Sequence, residues 1–423
     1  MTICEYFKCP ICGKHYTVKL QMDNTFKLYD WPIHVSCLEC GNEIDLIYNS
    51  NGLQPSNLKT DEAETSITFG YSAVLPLTRE LYFKELDRGG RLAALTPFMS
   101  LSSYYGRFDI APKLGKWIQF MMNTLIPCRH YIRQLLPIIS HKPCNVSAYS
   151  AKLASLIEAQ NYNVLKDEFD CLDSFVELHE AIYRNFAIDS YKSTDMYKAF
   201  IFFQNYLEKE DIQQIEALEE NVNQYMNIES WLWTEVFPIV ADIVNEIQVL
   251  FPSMSFIIQG KFYFPTGDEL FTMTVGYKKL DGWYARAFEA LVHGLPFFVG
   301  LNNTVKNGNA DTFVVNGQLD NRGLSNFSAL PSASKINAIK QDNTLSAILV
   351  PVLNNHIRNA IQHGGDLFLS KSQTVEYHFD QNDNTKHDDY MLIDVGYMVF
   401  MQLMHLLEAI MLVSSCYKRL RTK

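Results

Sequence analysis

The chain has 423 residues, too many for one ordinary core, so more than one domain is expected. Hydrophobic residues make up 48% and charged residues only 20%, which excludes a disordered chain. A net charge of −11 excludes a non-specific nucleic-acid coat, whereas an enzyme acting on RNA needs only a local basic cleft.

The opening "MTICEYFKCPIC" has no apolar signal core, so a cytoplasmic location is expected. Nine cysteines are present, and four of them form two C-x-x-C pairs, Cys9/Cys12 in "KCPICGK" and Cys37/Cys40 in "SCLECGN". The rest (Cys4, Cys128, Cys144, Cys171, Cys416) are scattered, which fits a reducing compartment with one metal site better than a disulfide framework. Each C-x-x-C-G is a tight turn that aims backbone N–H groups at the thiolates. Four thiolates suit tetrahedral Zn²⁺ with no open position, hence a structural ion. A redox pair would need a thioredoxin-like βαβ context that is missing. His15 and His34 stand nearby as spare donors. The pattern resembles zinc ribbons and rubredoxin-like knuckles. Such a ribbon is either a structural staple or a surface that docks a partner or nucleic acid. "HYTVKLQM" and "NEIDLIYN" read as its strands, giving a module over residues 1–55.

"SNGLQPSNLKTDEAET" at 50–65 reads as a linker, and 66–110 carries no clear period. From about 112 to 250 apolar residues recur at three and four, predicting helices. "LEKEDIQQIEALEENVNQ" reads as one charged helix with a thin apolar face. The runs "SFIIQGKFYF" and "LFTMTVGYKKL" suggest strands, "WYARAFEALVHGLPFFV" a helix, and 301–325 a loop rich in Asn and Gly. A long helix is expected from Asp342 to His363, kinked at Pro351. "TVEYHFD" and "YMLID" then make a short β excursion. The fold class is therefore mainly α: a helical bundle with a small N-terminal β-type zinc ribbon and a few short strands. Beyond the ribbon, 56–225 reads as a mixed and then helical middle of sensing or regulatory character, and 226–423 as a helical domain.

The stretch "GYMVFMQLMHLLEAIMLVSSC", 396–416, is apolar enough to raise a membrane span. Gln402, His405 and Glu408 interrupt it at helical spacing, which favours a helix packed all round in a core or dimer interface, with no membrane. The polar stripe either borders a cleft or is satisfied by buried partners.

"LNNHIRNAIQHGG", 353–365, holds the chemistry. Arg358 offers a planar fork of donors suited to phosphate oxygens. His363 can move a proton near neutral pH. Gly364-Gly365 suits a left-handed cap just after it. Asn359 and His363 share a face, whereas Arg358 lies about 140° round from His363 on a regular helix, so two facing copies converge better than one. A second arginine–histidine pair, Arg286 and His293, lacks the asparagine, and "YRNFAID" (Arg184, Asn185) lacks the histidine. Arg358, Asn359 and His363 match R-N-x-x-x-H, and on that motif the region resembles the HEPN superfamily of ribonucleases. The resemblance implies a helical bundle that homodimerises and pairs two motifs in one cleft. It also implies RNA cleavage without a catalytic cofactor: 2′-hydroxyl attack leaves a 2′,3′-cyclic phosphate. His363 would act as acid or base, Arg358 would stabilise charge and Asn359 would position one of them. No cluster of metal-binding carboxylates is evident in the sequence. Toxins and antiviral defence effectors, with a protein activator or inhibitor, are the implied setting. The alternative is a non-catalytic HEPN-like or zinc-ribbon binding or scaffold protein.

Overall fold

The computed structural model describes residues 2–21, 31–48, 58–59, 64–65, 73–77, 115, 119, 126–157, 165–186, 194–255, 270–312, 323–383 and 385–421. The chain is mainly α, with small strand pairs at the N-terminus. In chain order the strands begin with β1 (Thr2–Lys8), β2 (His15–Gln21), β3 (Trp31–Ser36), β4 (Glu43–Tyr48), β5 (Leu58–Lys59), β6 (Glu64–Thr65) and β7 (Ala73–Leu77). Helices α1 (Ile126–Ile139), α2 (Val146–Ile157), α3 (Glu168–Phe186), α4 (Asp195–Lys209) and α5 (Ile212–Asn223) follow. Next come α6 (Ile228–Trp231), a π-helical turn, α7 (Phe237–Asn245), α8 (Phe251–Met254), α9 (Tyr277–His293) and α10 (Leu295–Asn307). The series continues with α11 (Leu324–Ser328), α12 (Ser332–Ile339), α13 (Asn343–Leu349) and α14 (Asn355–His363). β8 (Asp366–Leu369), β9 (Thr374–His378) and β10 (His387–Met391) lead into α15 (Leu392–Leu420).

Contacts divide the chain into two compact units, one of 1–123, 246–284 and 359–400, the other of 124–245, 285–358 and 401–423. The first unit holds the strands. β1 and β2 form an antiparallel hairpin flanked by β6 and by β7, which runs parallel to β2. β3, β4 and β5 form a second antiparallel ladder, and β8, β9 and β10 a third. Alternating residues of β1 to β4 (Phe7, Tyr16, Val18, Ile33, Ile44, Leu46) bury one face, as the period of two requires.

Phe271 and Met273 join that core, although 270–280 forms no regular strand. The Gln373 side chain holds the segment at Thr272: its Oε1 accepts from Thr272 N at 2.9 Å and its Nε2 donates to Thr272 O at 2.8 Å. Thr274 Oγ1 donates to Val249 O, and the chain turns helical at Tyr277. The strand expected over 256–264, the 50–65 linker apart from β5 and β6, and most of 66–110 lie outside the described residues.

Asp281, 2% exposed, accepts from the Tyr377 hydroxyl at 2.7 Å. Burial pushes its pKa up to about 7; Tyr377 opposes this, neighbouring Asp366 adds to it, and Lys278 opposes it. The folded state therefore holds a proton that the unfolded chain releases near the ordinary carboxyl pKa. Stability contributed by that proton is full below the unfolded value and is lost as pH rises through about 7. Asp281→Asn keeps the hydroxyl's acceptor and removes the charge. Thermal unfolding across pH should show the variant gaining on wild type above that pKa and the gap closing in acid.

The second unit is helical. Trp231 Nε1 donates to Ala290 O at 2.7 Å, and Phe175 meets Phe237 at 5.5 Å between ring centres. The charged stretch expected as one helix is two, because Asp211 caps a new start: its side chain accepts from Gln213 N after α4 has ended at Lys209. Residues 301–307 are helical rather than loop. Three of their polar side chains are buried and bonded: Asn302 donates to Asp342, Asn303 to Ala310 O and Thr304 to Gly300 O. The helix expected from Asp342 to His363 is broken into α13, a 3₁₀ turn at Val350–Val352 and α14. Pro351 lacks the N–H that would continue the ladder.

Two members of the polar stripe of α15, Gln402 and His405, serve that break. Gln402 Nε2 donates to Val352 O at 3.0 Å, and His405 Nε2 lies 2.6 Å from Ile348 O. His405 Nδ1 is also 2.6 Å from Met401 O. Burial lowers the His405 pKa although both carbonyls favour the charged ring. The neutral ring carries one proton, and we place it on Nε2, because Met401 O belongs to the ladder of α15 itself. α15 is long and apolar enough to cross a membrane, but 94% of its most apolar window is buried within the protein, as in a core helix. Its apolar surface is thus covered by the chain, and a dimer would have to use other surface.

Candidate functional site

Two hairpin loops of the first unit carry the cysteines. Between β1 and β2, Cys9 N donates to Lys14 O at 2.8 Å and Gly13 N to Cys9 O at 3.0 Å. Between β3 and β4 the same pair recurs, Cys37 N to Asn42 O and Gly41 N to Cys37 O, both 2.8 Å. Gly13 and Gly41 have φ of 71° and 74°, a conformation that a side chain would strain. These are the two knuckles predicted from the sequence.

The sulfurs of Cys9, Cys12, Cys37 and Cys40 all lie within 4.8 Å of one another and could hold a metal ion. Cys9 and Cys40 are 3.7 Å apart, and Cys12 and Cys37 3.5 Å. A tetrahedral ion with bonds of about 2.3 Å needs sulfurs about 3.8 Å apart, so this donor set fits zinc. Burial resists ionisation of Cys37, yet the Tyr16 hydroxyl at 3.0 Å and the backbone amides of Cys40 and Glu39 outweigh it and lower the pKa to about 6. At Cys12 the Lys14 amide favours the thiolate, but burial and its neighbouring thiols push the pKa up to about 12. A second negative sulfur in this cluster needs a cation beside it.

His34 is no ligand. Its Nδ1 lies 2.6 Å from Asp45 and its Nε2 3.8 Å from Glu43. Burial opposes the charged ring, and the two carboxylates overcome it, raising the pKa to about 9. His15 falls outside the four-sulfur group and is half-buried at the start of β2.

The arginine–histidine motif occupies α14. Asn354 starts the helix, its Oδ1 accepting from His356 N at 2.9 Å. Gly364, with φ 68°, ends it, and Gly365 N donates to Ala360 O at 2.7 Å in a Schellman-type cap. Gly365 is required for a different reason: a Cβ there would stand 2.4 Å from His378 O. Ile357 and Ala360 are fully buried, Arg358 and Asn359 half-buried, and His363 exposed in the last turn.

In the second unit, Arg358 Nε donates to Glu289 Oε1 at 2.6 Å. The other oxygen of Glu289 stands 4.0 Å from His293 Nε2, and His293 Nδ1 lies 2.6 Å from Glu235. Arg286 pairs with Asp242 at 2.5 Å. The structure thus joins Arg358 to His293, the histidine of the other arginine–histidine pair, through one carboxylate. Glu289 and Glu235 escaped the sequence reading, although Glu289 sits four residues before His293 on α9, the spacing of a helical ion pair. The side chains of Arg184 and Asn185 lie outside the described residues. No family model matches the chain, and neither a curated protein nor a solved structure matches it.

Proposed function

We propose that the chain is a HEPN-type endoribonuclease, acting as a toxin or antiviral defence effector, and that α14 carries half of its active site. The supporting observation is the end of α14: His363 is exposed in the last turn, Gly364 closes the helix, and Glu289 fixes one edge of the Arg358 guanidinium. In this reading His363 exchanges a proton with the attacking 2′-hydroxyl or the leaving 5′-oxygen. Arg358 stabilises charge on the phosphorus-bound oxygens, and Asn359 orients the reacting groups. Arg358 and His363 point about 140° apart on one helix, so a second copy of the chain completes the cleft. Cys9, Cys12, Cys37 and Cys40 would hold a zinc ion that cross-links two hairpins and takes no part in cleavage.

The experiment is incubation of the purified chain with RNA in the presence of a chelator. Fragments ending in 2′,3′-cyclic phosphate are expected, and Arg358→Ala or His363→Ala should each slow their formation by about 10²–10⁴-fold. The Arg358–Glu289 pair favours a second reading, a non-catalytic binding or scaffold protein in which the arginine is structural. That reading predicts no cleavage by any form, and a loss of roughly 0–1 kcal/mol of stability on removing the pair.

A further inference from the structure

The third ladder of the first unit carries another set of metal-binding side chains. Glu376 and His378 are two apart on β9, and His387 and Asp389 two apart on β10, so each pair shares one face. The antiparallel register sets His378 opposite His387 and Glu376 opposite Asp389. All four therefore stand on the same side of the ladder. Val375 and Tyr377, which alternate with them on β9, are fully buried on the other side.

The donors converge. One ligand atom from each of Glu376, His387 and Asp389 lies within 4.8 Å of the other two. His378 stands beside the group: its ring centre is 4.9 Å from that of His387, and its Nε2 is 3.3 Å from Glu376 Oε2. His387 Nε2 is 3.4 Å from Asp389 Oδ1. Two carboxylates set directly across a ladder repel each other. Lys386, next to His387, is engaged by Asp380 and Asp383 in the connecting turn. A divalent cation between the strands would relieve the repulsion and use the imidazoles as well.

We propose that Glu376, His387 and Asp389, with His378 beside them, bind one divalent first-row transition ion across the β9–β10 ladder. One imidazole and two carboxylates, with a second imidazole beside them and no thiolate, favour manganese, nickel or zinc over copper(I). Because His387 and Asp389 are exposed, the ion would keep coordination positions open to water. Its donors are none of the four cysteines and none of Arg358, Asn359 and His363.

The test is titration of the full chain, loaded with zinc at its cysteines, with Mn²⁺, reading free Mn²⁺ by electron paramagnetic resonance. Manganese is the chosen probe because a thiolate site disfavours it. One Mn²⁺ per chain is expected, displaced by Ni²⁺. The double variant His387→Ala/Asp389→Asn should bind at least about tenfold more weakly, with zinc content unchanged. Should the double variant fail to fold, Glu376→Gln alone carries the same expectation. Binding of equal strength in the folded variants would overturn the proposal, as would the absence of any stoichiometric Mn²⁺ or Ni²⁺ binding to the wild-type chain.

Discussion

Cys9→Ser should release the metal from the paired knuckles and melt the β1–β4 module. Cys9 and Cys37 are buried at the top of the core that holds Phe7, Tyr16, Val18 and Ile33, so an ion bound by the four cysteines would stand where the two hairpins meet. Structural zinc in small domains contributes roughly 10–16 kcal/mol of apparent binding energy, all of it expressed as folding. Metal analysis should fall from one zinc per chain to none. Near-ultraviolet circular dichroism from the stacked Phe7 and Tyr16 rings should collapse, with most of the helical far-ultraviolet signal retained. An unchanged zinc content in Cys9→Ser would contradict the assignment.

The second large effect is expected inside the helical unit. Gln402→Leu or His405→Leu replaces a buried polar side chain by an apolar one of similar size. Each leaves a carbonyl of the broken α13 segment, Val352 O or Ile348 O, without its side-chain donor. A buried unsatisfied acceptor costs about 1–3 kcal/mol, and the two sites share one segment, so the double variant should lose several kcal/mol without strict additivity. Urea unfolding measures this directly. Variants as stable as wild type would mean that water or backbone already serves those carbonyls.

The stripe of Gln402, His405 and Glu408 illustrates what was legible in the sequence. Its helical spacing and its unsuitability for lipid could be read at once, but the target of Gln402 and His405 could not, because the broken helix they serve is about fifty residues away. The cysteine knuckles were legible in full: C-x-x-C-G dictates both the turn and the donors, and no long-range packing is needed to see it. The polar helix at 301–307 was misread because Asn and Thr signal loops unless buried partners satisfy them, and Asp342 and Ala310 are remote or unremarkable in sequence. The strand histidines and carboxylates were missed for a related reason. E-x-H and H-x-D become one cluster only when the β9–β10 register is known, so the sequence offered no evident carboxylate site. For α14 the glycine stop was readable, whereas the Glu289 partner of Arg358 depends on the packing of α9.

The claim that α14 is half of an active site has a direct test in subunit mixing. Arg358→Ala chains and His363→Ala chains are purified separately, combined under conditions that exchange subunits, and assayed on labelled RNA. Since the arginine and histidine of one helix diverge, the account predicts that the mixture cleaves RNA to 2′,3′-cyclic phosphate ends while neither variant does so alone. A mixture as inactive as its components, beside an active wild-type chain, would contradict it.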